Sequence, residues 1–301
     1  MAVRDRAEGL VERSAAVVAD RDCLLGLLEQ CTDSLSRTPS LARLPSRRLM
    51  VVGDLHGHMG AAEWVARHAL AAGRPHVVAL GDYADRGDRQ LETLVLMLGL
   101  MLELPGSVTL LRGNHETRSM ASRFGLEEAV LSVHDREVMD AIYRAFAQMP
   151  VAAHRADGVL CLHGGIPGGA RALEDLSTLP KGEEEPVDGT AIEVLWNDAE
   201  ERAGFHAFNR ARGVGQTFGL DASRAFMERN GLWLLVRAHQ PSEHGFARLH
   251  GGRVVSVFSH PGYLGGGTEG SVAIVGTDRT VRRARIRAGD RAIGALSEPT
   301  L

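Results

Sequence analysis

The sequence predicts an α/β fold, and three observations carry that reading. Short apolar runs alternate with helical stretches through the first half of the chain. Each of the first four runs ends in glycine with polar residues beside it. Beyond residue 230, strand-type runs follow one another with few helical gaps. The chain has 301 residues, 44% hydrophobic and 24% charged, which is the composition of a globular protein and excludes a disordered one.

In chain order, residues 4–36 read as helical, with Val11, Ala15, Val18, Cys23, Leu24, Leu27 and Leu28 near one apolar face. A turn-rich stretch, SRTPSLARLPS, covers 36–46. RLMVVGD (48–54) has the continuous apolar pattern of a buried strand, and 60–72 reads as an alanine-rich helix. HVVALGD (76–82) is a second strand followed by a helix over 89–104. SVTLLRGN (107–114) is a third, with a helix around 127–148, and GVLCLHGG (158–165) is a fourth. Residues 181–188 (KGEEEPVD) read as a solvated acidic connection. LWLLVRAHQ (232–240), GFARLHG (245–251), RVVSVFSH (253–260), SVAIVGT (271–277) and TVRRARIRA (280–288) are five later strands. Arg248 to Arg253 and Gly276 to Asp278 read as hairpin turns, so a strand-rich second sheet is expected to pack on the first. The last residues, 289–301, read as frayed.

Composition excludes several function classes. Thirty-eight acids against thirty-four bases give a formal charge of −4, so no broad basic field is expected to hold nucleic acid or an anionic membrane. Cys23, Cys31 and Cys161 form no C-x-x-C pair, against a disulfide framework or thiolate zinc site. The charged first twenty residues carry no signal-peptide pattern. The longest apolar stretch, Leu94 to Leu104, contains Gly99 and Glu103 and is too short for a bilayer. A cytoplasmic location is expected.

The strand ends carry the chemistry: GDLHG (53–57), GDYADRG (81–87), GNHE (113–116) and HGG (163–165). α/β folds place their sites at the carboxyl ends of strands. Asp54 and His56 alternate on a segment read as extended, so both can point to one side. Asp82, Asn114, His163 and His239 each arrive singly at a strand end. This oxygen and imidazole set suits Mn, Fe or Zn. Six donors exceed one four-coordinate zinc and match a two-metal centre with a bridging carboxylate. Arg86 and Arg212 can grip phosphate oxygens bidentately. His115, beside Asn114, can protonate a leaving alkoxide, with Asp85 favouring its charged form.

These motifs in this order, continued by VLWNDA (194–199), RGVGQTFG (212–219), VRAHQ (236–240) and SHPGY (259–263), resemble the PPP family of metal-dependent serine/threonine protein phosphatases. The resemblance extends over about residues 20–286 and includes the helical link from Arg123-Phe124-Gly125 to Met149. It implies a calcineurin-like metallophosphoesterase fold of the bacterial type, with two mixed β-sheets in a central sandwich flanked by helices. It implies that Asp54, His56 and Asp82 hold one divalent ion and that Asp82, Asn114, His163 and His239 hold the second, most simply manganese, with iron or zinc as alternatives. Arg86, Arg212, Asn114 and Tyr263 would bind the phosphate, with His115 as general acid paired to Asp85. The implied reaction is hydrolysis of phosphoserine and phosphothreonine in proteins by a metal-activated hydroxide attacking in line, with no phosphoenzyme. A small-molecule phosphoesterase, such as a dinucleoside polyphosphate hydrolase, is the second reading. A non-catalytic phosphoprotein-binding module is the third, although it requires a broken ligand position and all six are filled.

Three departures from the family pattern stand out. Leu264 replaces a cysteine in the loop SHPGYL, and His260 adds a histidine there; His58 stands where glutamine is common. The expected organisation is a helical extension over 1–46 packed on a catalytic domain at 47–288, with a tail at 289–301. A phosphoprotein substrate and a regulatory protein are the expected partners.

Overall fold

A computed structural model describes residues 3–286 except residue 266. The expected frayed tail at 289–301 lies outside the described residues. The chain opens with helices α1 (Val3–Ala19) and α2 (Arg21–Ser36), strands β1 (Leu41–Leu44) and β2 (Leu49–Val52), helix α3 (Met59–Ala69) and strand β3 (His76–Ala79). It continues with α4 (Gln90–Glu103), β4 (Val108–Leu110), α5 (Arg118–Phe124), α6 (Leu126–Leu131), α7 (Arg136–Ala147), β5 (Ala152–Arg155) and β6 (Val159–Leu162). Then come α8 (Leu173–Ser177), α9 (Gly189–Trp196), β7 (Asp198–Ala199), β8 (His206–Phe208), β9 (Gln216–Phe218) and α10 (Leu220–Arg229). Strands β10 (Leu234–Arg237), β11 (Phe246–Leu249), β12 (Val254–Val257), β13 (Gly270–Val275) and β14 (Val281–Ile286) complete it. Among the described residues, no helix is long and apolar enough to cross a membrane.

The strands form a six-stranded mixed sheet in the order β1-β5-β6-β10-β12-β11 and a five-stranded mixed sheet in the order β14-β13-β2-β3-β4. The two stack face to face, as side-chain alternation shows. Leu49 and Val51 of β2 join Val159 and Cys161 of β6 and Leu234 and Val236 of β10 in one buried layer between the sheets. Met50 and Val52 point the other way into a helical layer with α3 and α4. Leu160, Leu162 and Leu235 point the other way into a layer with α9 and α10. Both faces of the inner strands β2, β3, β6 and β10 are therefore buried, and that is why these strands read as apolar runs.

The same feature hides the sheet order. The first four expected strands do not share a sheet. The strand at 159–162 pairs in parallel with β10, while β13 pairs antiparallel with β2 at Ala273 opposite Val51. Both expected hairpins form, β11 with β12 and β13 with β14. Five strands were not anticipated: β1 lies inside the proline-containing stretch read as turn, β5 pairs with it in register Leu41 to Ala152, and β7, β8 and β9 form a third, three-stranded sheet.

The helical regions are also divided further than expected. The helix read over 4–36 breaks at Asp20, whose extended backbone places its carboxylate on the N–H groups of Asp22 and Cys23, both at 3.0 Å, as an N-cap. Leu24, Leu28, Cys31 and Leu35 of α2 are buried in the layer that holds α4 and α7. The stretch around 127–148 contains α6 and α7 and is preceded by α5. The acidic 181–188 segment is not a free connection. The Glu184 carboxylate takes Arg118 Nε at 2.9 Å and its backbone carbonyl takes Arg112 Nη2 at 3.0 Å. Glu185 accepts the backbone N–H of Ser119 at 3.0 Å. These carboxylates close the N-terminal turn of α5, where the helix dipole favours negative charge.

Two predictions follow from this packing. At Gly81 (φ +110°) an added Cβ would meet the backbone nitrogen of Gly113, whereas at Gly26 on α2 it meets nothing within 4 Å. Gly81→Ala is expected to destabilise by about 3 kcal/mol or more, and Gly26→Ala to stabilise by about 0.5–1 kcal/mol through helix propensity, both read from denaturant midpoints. The second prediction concerns pH. His76 at the start of β3 is buried against Thr109 Oγ1 at 2.8 Å and Arg47 Nη2 at 3.3 Å. Burial, aided by Arg47, pushes its pKa down to about 4. The folded chain then binds fewer protons than the unfolded one between pH 6.5 and 4, so stability falls as pH falls through that window, by about 3 kcal/mol in all. His76→Gln is expected to flatten this part of the stability profile; an unchanged slope contradicts the assignment.

Candidate metal centre and active site

The strand-end loops of both sheets meet at one place. The loop after β2 supplies Asp54 and His56, that after β3 supplies Asp82, Asp85 and Arg86, and that after β4 supplies Asn114 and His115. The loops after β6 and β10, from the other sheet, supply His163 and His239. Backbone hydrogen bonds lock the loops together: Leu55 N and His56 N both donate to Asp82 O, at 3.0 and 2.9 Å. His239 N donates to Asp54 Oδ1 at 3.0 Å, and His115 N donates to Asp82 Oδ1 at 3.0 Å.

The segment Asp54–His56 is not extended, as the alternation argument required. His56 has φ +41°. Its ring reaches the centre because the chain turns there. Asp82, Asp85, Arg86 and His239 also have positive φ, at 55°, 65°, 70° and 70°. Side-chain-bearing residues rarely adopt this conformation, and it concentrates where surrounding contacts enforce it.

Asp82 lies at the centre of the arrangement. Its Oδ2 is 3.6 Å from His56 Nε2, and its Oδ1 is 3.4 Å from His163 Nε2. His56 Nε2 is also 3.7 Å from Asp54 Oδ2. On the other side, His163 Nε2 is 2.9 Å from Asn114 Oδ1 and 3.2 Å from His239 Nδ1. Two groups of donors result: one has His56, Asp82 and His115, with Asp54 beside it, and the other has Asp82, His163 and His239, with Asn114 beside it. Asp82 belongs to both. His115 enters the first group by distance, but its Nδ1 is taken by Asp85 Oδ2 at 2.6 Å. Its Nε2 faces Asp82 Oδ2 at 4.0 Å.

The donor chemistry fits cations. The backbone carbonyls of Ala84 and Leu80 can only accept, so His56 Nδ1 and His163 Nδ1, each at 3.0 Å, must donate to them. Both Nε2 atoms therefore present lone pairs toward carboxylate, amide or imidazole acceptors. Burial holds all three imidazoles, His56, His163 and His239, well below their ordinary pKa and so uncharged. Lone pair faces lone pair across both groups, an arrangement that a divalent cation with oxygen and nitrogen ligands satisfies. Burial and the neighbouring Asp54 push the Asp82 carboxyl up, which expresses the same need for positive charge.

Around this centre the remaining sequence candidates converge. Arg212 is held by a bidentate ion pair to Asp198, Nε to Oδ2 at 2.5 Å and Nη2 to Oδ1 at 3.1 Å, and donates to His239 O at 3.0 Å. The Arg86 guanidinium stacks over the Phe124 ring at 4.3 Å. Burial first, then Arg86 and Arg212, push the His115 pKa down to about 3, so both arginine charges are felt at that ring. The Tyr263 ring stacks on His56 at 5.0 Å. His58 accepts the backbone N–H of Ala61 and so caps α3. His260 is half-buried between His58 and Tyr263, at 4.8 and 5.3 Å between rings, rather than exposed on its loop. Leu264 is exposed.

Three supporting residues lay inside motifs already recognised but carried no assigned role. Glu116, fully buried, accepts three backbone N–H groups: Asp82 at 2.7 Å, Gly113 at 2.8 Å and Tyr83 at 3.0 Å. It ties the second strand-end loop to the third. Asp198, in VLWNDA, neutralises and aims Arg212 and also approaches buried Arg237 at 3.4 Å. Phe124 carries Arg86 on its face, approaches His115 at 5.2 Å between rings, and accepts the Arg86 N–H on its carbonyl at 3.1 Å. Sequence spacing could flag the carboxylates of Glu116 and Asp198, but not the backbone N–H groups and guanidiniums they serve.

Comparison with known proteins identifies the family and the fold. The calcineurin-like phosphoesterase family profile matches residues 47–243. A protein serine/threonine phosphatase from Saccharomyces cerevisiae, with similarity to human phosphatase PP5, superposes with a TM-score of 0.82 at 24% identity, over 90% of this chain and 91% of that one. A cold-active protein-tyrosine phosphatase of a psychrophile, Shewanella sp., superposes with a TM-score of 0.55 at 17% identity, over 84% of each chain. Both share the fold.

Glu116→Gln retains the shape but turns an NH₂ toward a backbone N–H. We expect a loss of about 2–4 kcal/mol in denaturant unfolding. An unchanged midpoint would show that the three N–H contacts do not hold the loops.

Proposed function

The chain belongs to the calcineurin-like phosphoesterase family, whose sites take two divalent metal ions, and from that premise we propose that it hydrolyses phosphoserine and phosphothreonine in proteins. The observation that carries the catalytic part is the Asp82 carboxylate, one oxygen toward each donor group, with the Asp85–His115 pair and two arginines on the same pocket. The serine/threonine assignment draws on the motif set and on the yeast phosphatase; the Shewanella phosphatase makes phosphotyrosine the competing substrate.

Asp54, His56 and Asp82 would hold one ion, and Asp82, Asn114, His163 and His239 the other. Manganese is the proposed metal. Two such ions supply an activated water and a clamp for the charge of an in-line displacement. Arg86 and Arg212 grip the outer phosphate oxygens; Asp198 and Phe124 keep the two guanidiniums aimed, so little order is lost on binding. Asn114, with Oδ1 turned to His163, offers its Nδ2 hydrogens to the same phosphate. Tyr263, stacked on His56, walls the pocket.

His115 is the proposed acid. Burial and the arginines hold it uncharged in the free protein. A bound phosphate dianion offsets those arginines and raises the imidazole pKa, while Asp85 Oδ2 keeps the Nδ1 proton in place. Nε2 then protonates the departing serine oxygen. No side chain in the pocket is needed as a nucleophile, so no phosphoenzyme forms.

Leaving-group dependence tests this division of labour. His115→Asn is expected to lower kcat by about 10²–10³ for a phosphoserine peptide and far less for 4-nitrophenyl phosphate, whose leaving group needs no proton. An equal loss on both substrates removes the acid role. Asp82→Asn is expected to abolish metal-dependent turnover of both. Faster turnover of a phosphotyrosine than of a phosphoserine peptide would reassign the substrate.

A further inference from the structure

A small third sheet stands beside the phosphate-binding arginine, in the order β7-β9-β8, which leaves β8 as an open edge. Phe205 and Phe208 are 62% and 63% exposed there. Two large aromatic rings three residues apart on one exposed segment are unusual for a protein surface and mark contact sites. Gly219 N donates to Phe205 O, and Asn209 N donates to Gly215 O, both at 3.1 Å. By antiparallel alternation, His206 and Phe208 turn their backbone N–H and C=O groups outward. Such an edge adds an extended peptide as another strand.

A cleft of about 220 Å³ opens next to this edge, under Phe205. Its floor is apolar, including Phe226 and Ala222, and its rim carries the exposed Arg171 and Arg229. Among the described residues, no carboxylate lines it. The nearby Asp175 is engaged by the backbone N–H groups of Arg171 and Ala172, at 2.7 and 2.9 Å. The strand is mechanically tied to the phosphate site. Asn209, the residue after β8, donates to Asp198 Oδ2 at 2.8 Å and accepts the Arg212 N–H at 3.3 Å. A phosphate held at Arg212 therefore places the chain that carries it at the end of β8, beside Asn209.

From this juxtaposition we infer that the β8 edge and the Phe205 cleft form a substrate-docking surface for the extended flank of the phosphoprotein, selecting apolar residues interspersed with carboxylates. The edge supplies backbone hydrogen bonds, the cleft takes an apolar side chain, and Arg171 and Arg229 favour acidic neighbours. At about 3.3 Å per extended residue, the selected positions lie about three to six residues from the phosphoserine. The inference rests on the protein-substrate reading above, and the test separates the two.

Steady-state kinetics on the full chain with manganese would compare three substrates: a phosphoserine peptide flanked by Leu and Glu, one flanked by Gly and Lys, and 4-nitrophenyl phosphate. The acidic peptide is expected to have the lower KM. Arg171→Glu/Arg229→Glu should raise that KM about tenfold with kcat unchanged, leave 4-nitrophenyl phosphate unaffected, and invert the preference between the peptides. Phe205→Ala should weaken both peptides without touching the small ester. Equal KM for the two peptides in the parent chain, or parallel losses on the small ester, would overturn the docking surface. Turnover of the small ester with neither peptide hydrolysed would instead overturn the protein-substrate reading itself.

Discussion

Burying the Asp82 carboxylate at the meeting point of two sheets is the constraint from which the rest of the site follows. The side chain is 1% exposed and shares its pocket with Asp54 and Glu116, each almost wholly buried. A carboxylate taken from water costs several kcal/mol unless charge and hydrogen bonds compensate. Part of the compensation is visible in the chain: His115 N–H on Asp82, His239 N–H on Asp54, and three backbone N–H groups on Glu116. The rest must be positive charge, and the uncharged imidazoles of His56, His163 and His239 cannot provide it. Their lone pairs and the carboxylates ask for the same thing.

Meeting that constraint distorts the backbone. Seven described residues other than glycine have positive φ, and His56, Asp82, Asp85, Arg86 and His239 are five of them. Each conformation costs of the order of 1 kcal/mol or more and persists only where neighbours over-determine it. Here the neighbours are identifiable. Arg86 is held by the Phe124 carbonyl and ring, Asp85 by Leu126 N at 3.0 Å and Gln90, and His56 by the Asp82 carbonyl. The backbone of these loops is thus held by carbonyls, rings and amides other than the donor atoms themselves.

Much of this was legible in the sequence, for physical reasons. A loop that turns sharply at a strand end needs glycine, and a cation site needs Asp, His and Asn, so GDLHG, GDYADRG, GNHE and HGG announced themselves. What one chain order could not show was which strands pair. With helices on both outer faces, β2 and β6 carry apolar residues on every position and β3 and β10 on all but one, and nothing in such a run says which sheet it joins. Strands of two to four residues, such as β7 and β8 or β1 beside its prolines, are too short to show a period. The extended reading of Asp54–His56 failed because a two-residue alternation and a left-handed turn can place the same two side chains together. Glu116, Asp198 and Phe124 were overlooked because they act on backbone N–H groups and guanidiniums rather than on the centre itself.

The central claim is that two cations, bridged by Asp82, complete this pocket. Equilibrium metal titration of the demetallated chain, followed by heat or by mass spectrometry of the native protein, tests it most directly. The account predicts two divalent ions per chain in the parent, with phosphatase activity following occupancy of both. It predicts that Asp82→Asn weakens both binding events together, since one carboxylate serves two groups of donors. A single ion at saturation, or an Asp82→Asn chain that still takes up two ions with parent affinity, would contradict it.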